Sequence, residues 1–212
     1  MNRTEHQNLL KQGEELNKLI RQKMLTLGPL DADYNLAGKY WRSDTQNRQF
    51  WSRVVLRCLC ADIEARLYVF RRIALEASNL TKISFTKQEH ETLIEMREVV
   101  ENGNVRTKPK WLPIGDSIKE SFRLFAKAVG ASFAPDCSAN GFKALCDTFT
   151  VRHRLMHPKD VFAVEIRDKD VQTAEEGIHW LNQQCENLFT QCHAEIGARI
   201  ECQLEILQKK KG

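Results

Sequence analysis

The chain has 212 residues, 42% of them hydrophobic and 28% charged, and its 32 Lys and Arg against 28 Asp and Glu leave a formal net charge of +4. Those proportions are those of an ordinary globular protein and exclude collagen-like, disulfide-scaffold and intrinsically disordered classes. No apolar run approaches the roughly 18 residues of a membrane helix, and the opening Met1-Asn2-Arg3-Thr4-Glu5-His6-Gln7 is polar where a secretory signal has an apolar core. The expectation is a cytoplasmic protein with no membrane partner. A charge of +4 permits an acidic partner without demanding one.

In chain order, Leu9, Leu16, Leu19, Ile20 and Met24 recur at three- and four-residue steps and predict a helix over about 5–27, with Gly28-Pro29 as its stop. Residues 29–44 carry Tyr34, Gly38, Tyr40 and Trp41 and read as an ordered aromatic loop. From about 45 to 77 the apolar series Phe50, Val54, Val55, Leu56, Leu59, Ile63, Leu67, Phe70 and Ile73 runs without Gly or Pro, which predicts a long central helix with an arginine stripe. Thr86 with Glu89 three residues on has the spacing of a capping box and predicts a shorter helix over 87–100. Gly103, Pro109 and Pro113 then break regular structure before a helix over about 117–129.

After Pro135, the residues Phe142, Leu145, Cys146, Phe149 and Val151 mark one face of a helix that starts near Asn140. Pro158 ends it at His157, because proline disfavours helical geometry in the residue before it. Residues 161–167 alternate loosely and suggest a short extended segment, and Asp170 reads as the N-cap of a last long helix to about 207. The predicted fold is all-α, an up-and-down bundle of about five helices with two long ones and elaborated loops, in one domain over 1–212 with negligible strand. Trp41, Trp51, Trp111 and Trp180 are expected as core or interface anchors.

The seven cysteines form no pair of CxxC motifs, and reduced thiols are the simplest account. A zinc site from Cys185, Cys192, His193 and Cys202 would need ligands spaced seven and ten residues apart on one helix to surround an ion. Metal motifs instead bring ligands in close pairs on a turn. No metal and no other cofactor is expected.

The most unusual segment is Thr150-Val151-Arg152-His153-Arg154-Leu155-Met156-His157-Pro158-Lys159, with two Arg, two His and one Lys at a helix end and no carboxylate before Asp160. Like charges so placed repel unless an anion, or carboxylates from elsewhere in the chain, relieve them. Histidine exchanges a proton near neutral pH and arginine offers a charged fork suited to phosphate oxygens. RNA brings its own nucleophile in the 2′-hydroxyl, so such a set needs only a base, an acid and a charge stabiliser to cleave it without metal.

Arg152-His153-Arg154-Leu155-Met156-His157 resembles the R-x4-6-H motif of the HEPN superfamily, small helical proteins that are often ribonucleases in toxin–antitoxin and phage-defence systems. The resemblance implies Arg152 and His157 as catalytic residues, His153 as the polar residue after the arginine, and Glu64 as an acidic residue facing the motif from an earlier helix. Arg154 and Lys159 are expected to bind or steer substrate. The resemblance also implies a homodimer in which two motifs meet, and an antitoxin or defence-system partner. Where some members carry Tyr two residues after the histidine, this chain has Lys159, which puts control by an adenylylating partner in doubt. Two functions are expected on this basis: a metal-independent endoribonuclease, or a catalytically silent module of the same superfamily that holds RNA, nucleotide or protein. On an ideal helix Arg152 and His157 are about 140° apart, so both can face one point only where the helix ends between them.

Overall fold

The computed structural model describes residues 3–101 and 104–209. Its helices are α1 (Arg3–Leu25), α2 (Gly28–Ser43), α3 (Arg48–Thr81), α4 (Lys87–Leu93), α5 (Ile114–Val129), α6 (Asn140–Met156) and α7 (Asp168–Lys209). A two-stranded antiparallel sheet, β1 (Met96–Glu101) and β2 (Asn104–Pro109), stands between α4 and α5, and a single 3-10 turn covers Val161–Val164. The all-α class holds, with seven α-helices among the described residues where about five were expected. No helix among the described residues is long and apolar enough to cross a membrane.

Four expectations are corrected. Residues 29–44 are helix α2, because Pro29 lies in its first turn, where a missing N–H costs nothing and the fixed φ suits a helix start. The helix expected over 87–100 stops at Leu93, and the chain turns through Glu95 at a left-handed φ of 56° into β1. The β-branched residues Val99, Val100, Val105 and Thr107 favour strands, and Asn102-Gly103 between the two runs is a hairpin sequence signal. Residues 161–164 form a 3-10 turn and not an extended segment, capped by Asp160, whose carboxylate accepts from the Ala163 N–H at 2.9 Å. The last helix begins at Asp168, two residues before the expected N-cap Asp170. The tail from Lys210 and the side chain of Cys202 lie outside the described residues.

The chain divides into two compact units, one of residues 1–23, 68–134 and 187–212 and one of 24–67 and 135–186, so that α3 and α7 contribute a part to each. The core of the first unit is aromatic. Phe70 packs edge-to-face on Phe122 and Phe189, with ring centroids 5.2 and 5.9 Å apart, and at a tilt on Phe125 at 5.3 Å, and aromatic pairs contribute about 0.5–1.5 kcal/mol each beyond burial. Ile118, Phe122, Phe125 and Val129, three or four residues apart on α5, supply one buried stripe. Gly130 ends that helix at φ 79°, a left-handed conformation that glycine adopts without steric cost.

Arg71 is buried in the same unit, where its guanidinium donates to Ser121 at 2.8 Å and Ser117 at 3.0 Å and pairs with Glu95 at 2.6 Å. That contact anchors the residue whose positive φ turns the chain into β1. Glu89 closes the capping box of α4 and takes Lys127 at 2.6 Å and Arg123 at 2.9 Å. Burial pushes its carboxyl up, but the hydrogen bonds from Lys127, the Thr86 N–H and Arg123 outweigh it and bring the pKa down to about 2. A carboxylate depressed in the folded state stabilises above its ordinary pKa of 4.5 and loses that stabilisation as pH falls toward 2. Glu89→Gln is therefore expected to lower stability at pH 7 and to flatten the decline in urea midpoint between about pH 4.5 and 2.

In the second unit the buried apolar set includes Leu56, Leu59, Ile63 and Leu67 of α3, Leu145 and Leu155 of α6, and Val171, Ile178 and Leu181 of α7. Helices α6 and α7 approach closely because glycines face the contact. A Cβ on Gly141 would fall 2.3 Å from Trp180 Cβ, and one on Gly177 would fall 2.8 Å from the Leu145 backbone. Trp180 is buried and donates its indole N–H to the Asp136 carbonyl at 3.1 Å, which holds the entry to α6. Gln49 of α3 bonds the Ile166 backbone twice, donating to its carbonyl at 2.7 Å and accepting from its N–H at 3.0 Å. The segment after α6 is thereby fastened to α3.

Candidate active site at the end of α6

The basic motif occupies the last turn of α6 and the residues beyond it. His157 leaves helical geometry at φ −131° and ψ 64°, although its N–H still donates to the His153 carbonyl at 3.0 Å. The helix thus ends between Arg152 and His157, the condition that angular spacing set for their convergence. The His153 and His157 rings lie 4.9 Å apart, inclined at 51°, and both residues are exposed. An imidazole can donate or accept a proton, so the pair sets both capacities side by side.

Arg152 pairs with Glu64, Nη2 to Oε2 at 3.1 Å, across 88 positions of sequence. Both side chains are half exposed, and such a pair contributes only about 0–1 kcal/mol. An incoming phosphate can therefore compete for the guanidinium at little cost. Cys60, one turn before Glu64 on α3, is fully buried, and burial pushes its thiol up to about 12, with Arg152 acting against the shift and Glu64 with it. A thiol so raised is a poor nucleophile.

Arg154 is placed differently. Its guanidinium reaches Asp170 on α7 at 3.3 Å, and the same carboxylate accepts from the Arg167 N–H at 3.0 Å and pairs with the Arg167 side chain at 3.2 Å. Burial raises the Asp170 carboxyl, but the Arg167 N–H and side chain and the charge of Arg154 hold it below the ordinary carboxylate range. Lys159 is exposed two residues past His157. The structure thus brings Arg152 to Glu64 and His153 to His157, and commits Arg154 to Asp170.

Asp170 is the partner that sequence reasoning missed. It was legible as a helix-start residue, but the arginine it neutralises lies 16 positions earlier and only the approach of α7 to α6 joins them. Among the described residues no group of three or more His, Cys, Asp or Glu side chains is arranged to hold a metal ion. Cys185 and Cys192 are buried, and burial pushes each thiol up to about 12.

Fold and side chains together describe an all-α protein with an Arg-His helix terminus faced by a carboxylate from another helix. No family model, no curated protein and no solved structure matches the chain.

Proposed function

We propose that the protein is a metal-independent endoribonuclease of the HEPN type, acting as a homodimer in a toxin or phage-defence system. The observation that carries the reading is the meeting of Arg152 with Glu64 beside a helix end at which His153 and His157 stand ring to ring. In this mechanism one imidazole takes the proton of the RNA 2′-hydroxyl and the 2′-oxygen attacks the adjacent phosphorus. Arg152 exchanges Glu64 for the phosphate and stabilises the charge that develops there. A second imidazole, His153 or the His157 of the other copy, returns a proton to the departing 5′-oxygen. The products are a 2′,3′-cyclic phosphate and a 5′-hydroxyl.

Incubating the full chain with RNA in EDTA and analysing the new ends tests this. Cyclic phosphate and 5′-hydroxyl ends are expected. Ends bearing 5′-phosphate, or a strict need for a divalent ion, would exclude the mechanism. The second reading, a silent binding module, is favoured by one observation: Arg152 and Arg154 each have an intramolecular carboxylate, which lets the cluster stand without a ligand. RNA left uncut under all conditions would select it.

A further inference from the structure

The hairpin β1–β2 belongs to the other compact unit from the motif, and nothing in the cleavage mechanism uses it. Its register pairs Arg97 with Lys108, Val99 with Arg106, Val100 with Val105 and Glu101 with Asn104. Residues that pair across a ribbon share a face, and so do alternate residues along each strand. One face therefore carries Arg97, Lys108 and Arg106 against a single acidic residue, Glu101.

Glu101 pairs with Lys108, and Glu98 on the opposite face takes Lys87 at 2.7 Å. Arg97 stands directly opposite Lys108, whose charge Glu101 answers, so Arg97 and Arg106 are the cations of this face without an ion pair among the described residues. Every residue of β2 is exposed, so both the charges and the strand edge are open to a partner.

Trp111 lies two positions beyond Pro109, the end of β2, and is 83% exposed, the highest value among the large apolar side chains described. It was expected as an anchor of the core or of an interface, and the structure places it outside the core. Indoles are ordinarily buried over most of their surface. Exposed arginines with an open aromatic plane a few residues along the chain are what single-stranded nucleic acid uses, phosphates on the cations and an unpaired base on the ring. In a duplex the base faces are already stacked on one another, so the tryptophan selects single strands. The core of a protein-docking face is instead depleted in charge.

We propose that the β1–β2 ribbon with Trp111 is a binding surface for single-stranded RNA, built from residues other than those of the cleavage motif. The identity of the polyanion as RNA rests on the ribonuclease reading; the surface itself rests on the ribbon.

The test uses the full chain carrying His157→Ala, so that a fluorescein-labelled single-stranded oligoribonucleotide stays intact while its anisotropy is followed against salt. Against that parent, Arg97→Gln with Arg106→Gln is expected to weaken binding about tenfold or more and to reduce the slope of log K on log salt by about 1.4, two phosphate contacts' worth. Trp111→Ala is expected to weaken it by at least about fivefold with the slope unchanged, and to leave binding of a duplex of the same sequence unaltered. All three side chains are exposed, and unchanged melting by circular dichroism checks that the variants fold.

Parent-like affinity in both variants overturns the proposal, as does a parent that binds no RNA. Variants that keep RNA affinity but lose self-association in light scattering overturn it too, and mark the ribbon as a protein interface. The two readings fail separately. A His157-intact chain that cuts nothing while ribbon-dependent binding persists removes the cleavage reading alone, whereas cleavage with ribbon-independent binding removes the ribbon alone.

Discussion

Replacing His157 with alanine is expected to lower RNA cleavage by about 10²–10⁴-fold, the range for loss of a positioned general acid or base, with thermal melting little changed. The small effect on folding follows from the structure. His157 is exposed, it stands outside the helix proper, and the hydrogen bond it makes to His153 comes from its backbone N–H, which alanine keeps. Arg152→Lys is expected to fall nearly as far, because an ammonium cannot present the fork of donors that a phosphate accepts. Arg154→Ala should show the opposite balance. Its contact is the carboxylate of Asp170, so loss of the guanidinium is expected to appear in melting temperature more than in rate. A gel assay over time with the three variants separates these outcomes. Cleavage by His157→Ala equal to that of the parent would mean that the activity is not this protein's own.

Arg66→Met is expected to destabilise the fold by about 3–5 kcal/mol, the cost of leaving a buried carboxylate without its partner. Asp62 is completely buried, and Arg66 Nε approaches its Oδ2 at 2.7 Å. The guanidinium also takes Asp31 at 2.6 Å and Asn182 at 2.9 Å, joining α2, α3 and α7 at one point. The Asp62 contact is close but poorly aligned, so it is an ion pair in which neither oxygen of Asp62 is hydrogen-bonded. Burial holds the Asp62 carboxyl above its ordinary range, with Arg66 opposing the shift and Asp31 adding to it.

The sign of the pH dependence follows. A carboxyl whose folded pKa is raised costs stability as pH climbs through that value, and the cost grows when Arg66 is gone. The deficit of Arg66→Met in urea unfolding is therefore expected to be largest near neutral pH and to shrink as the pH is lowered and Asp62 takes up a proton. A deficit independent of pH would show that lost packing of the arginine stem, and not the stranded charge, is responsible. Adding Asp62→Leu should recover most of the loss, since a buried pair replaced by apolar groups is often neutral.

How far the sequence reached differs by element. The end of α6 was legible because its cause is local: Pro158 acts on the residue before it, and the basic residues that crowd the terminus are consecutive. The capping box of Thr86 and Glu89 was legible for the same reason, since both of its hydrogen bonds close within three residues. Helix α2 was misread because Gly28-Pro29 serves as a stop for one helix and as the first turn of the next, and local chemistry alone does not separate the two. The hairpin was misread because the capping box at Thr86 marks where a helix starts and not where it stops, and the β-branched residues beyond Leu93 pair across a turn instead.

Near-neighbour identity and spacing were enough for the α-helical class, the apolar stripe of α3 and a cationic helix terminus with two histidines around Met156. Which carboxylates answer those cations is set by the packing of distant helices. Glu64 comes to Arg152 from 88 positions away and Asp170 to Arg154 from 16, and no local propensity encodes such meetings. The tertiary structure also decided that Asp62 is buried beside Arg66 while Trp111 stands outside the core. Burial and charge pairing depend on which surfaces of distant segments come into contact, and that is settled when the helices pack.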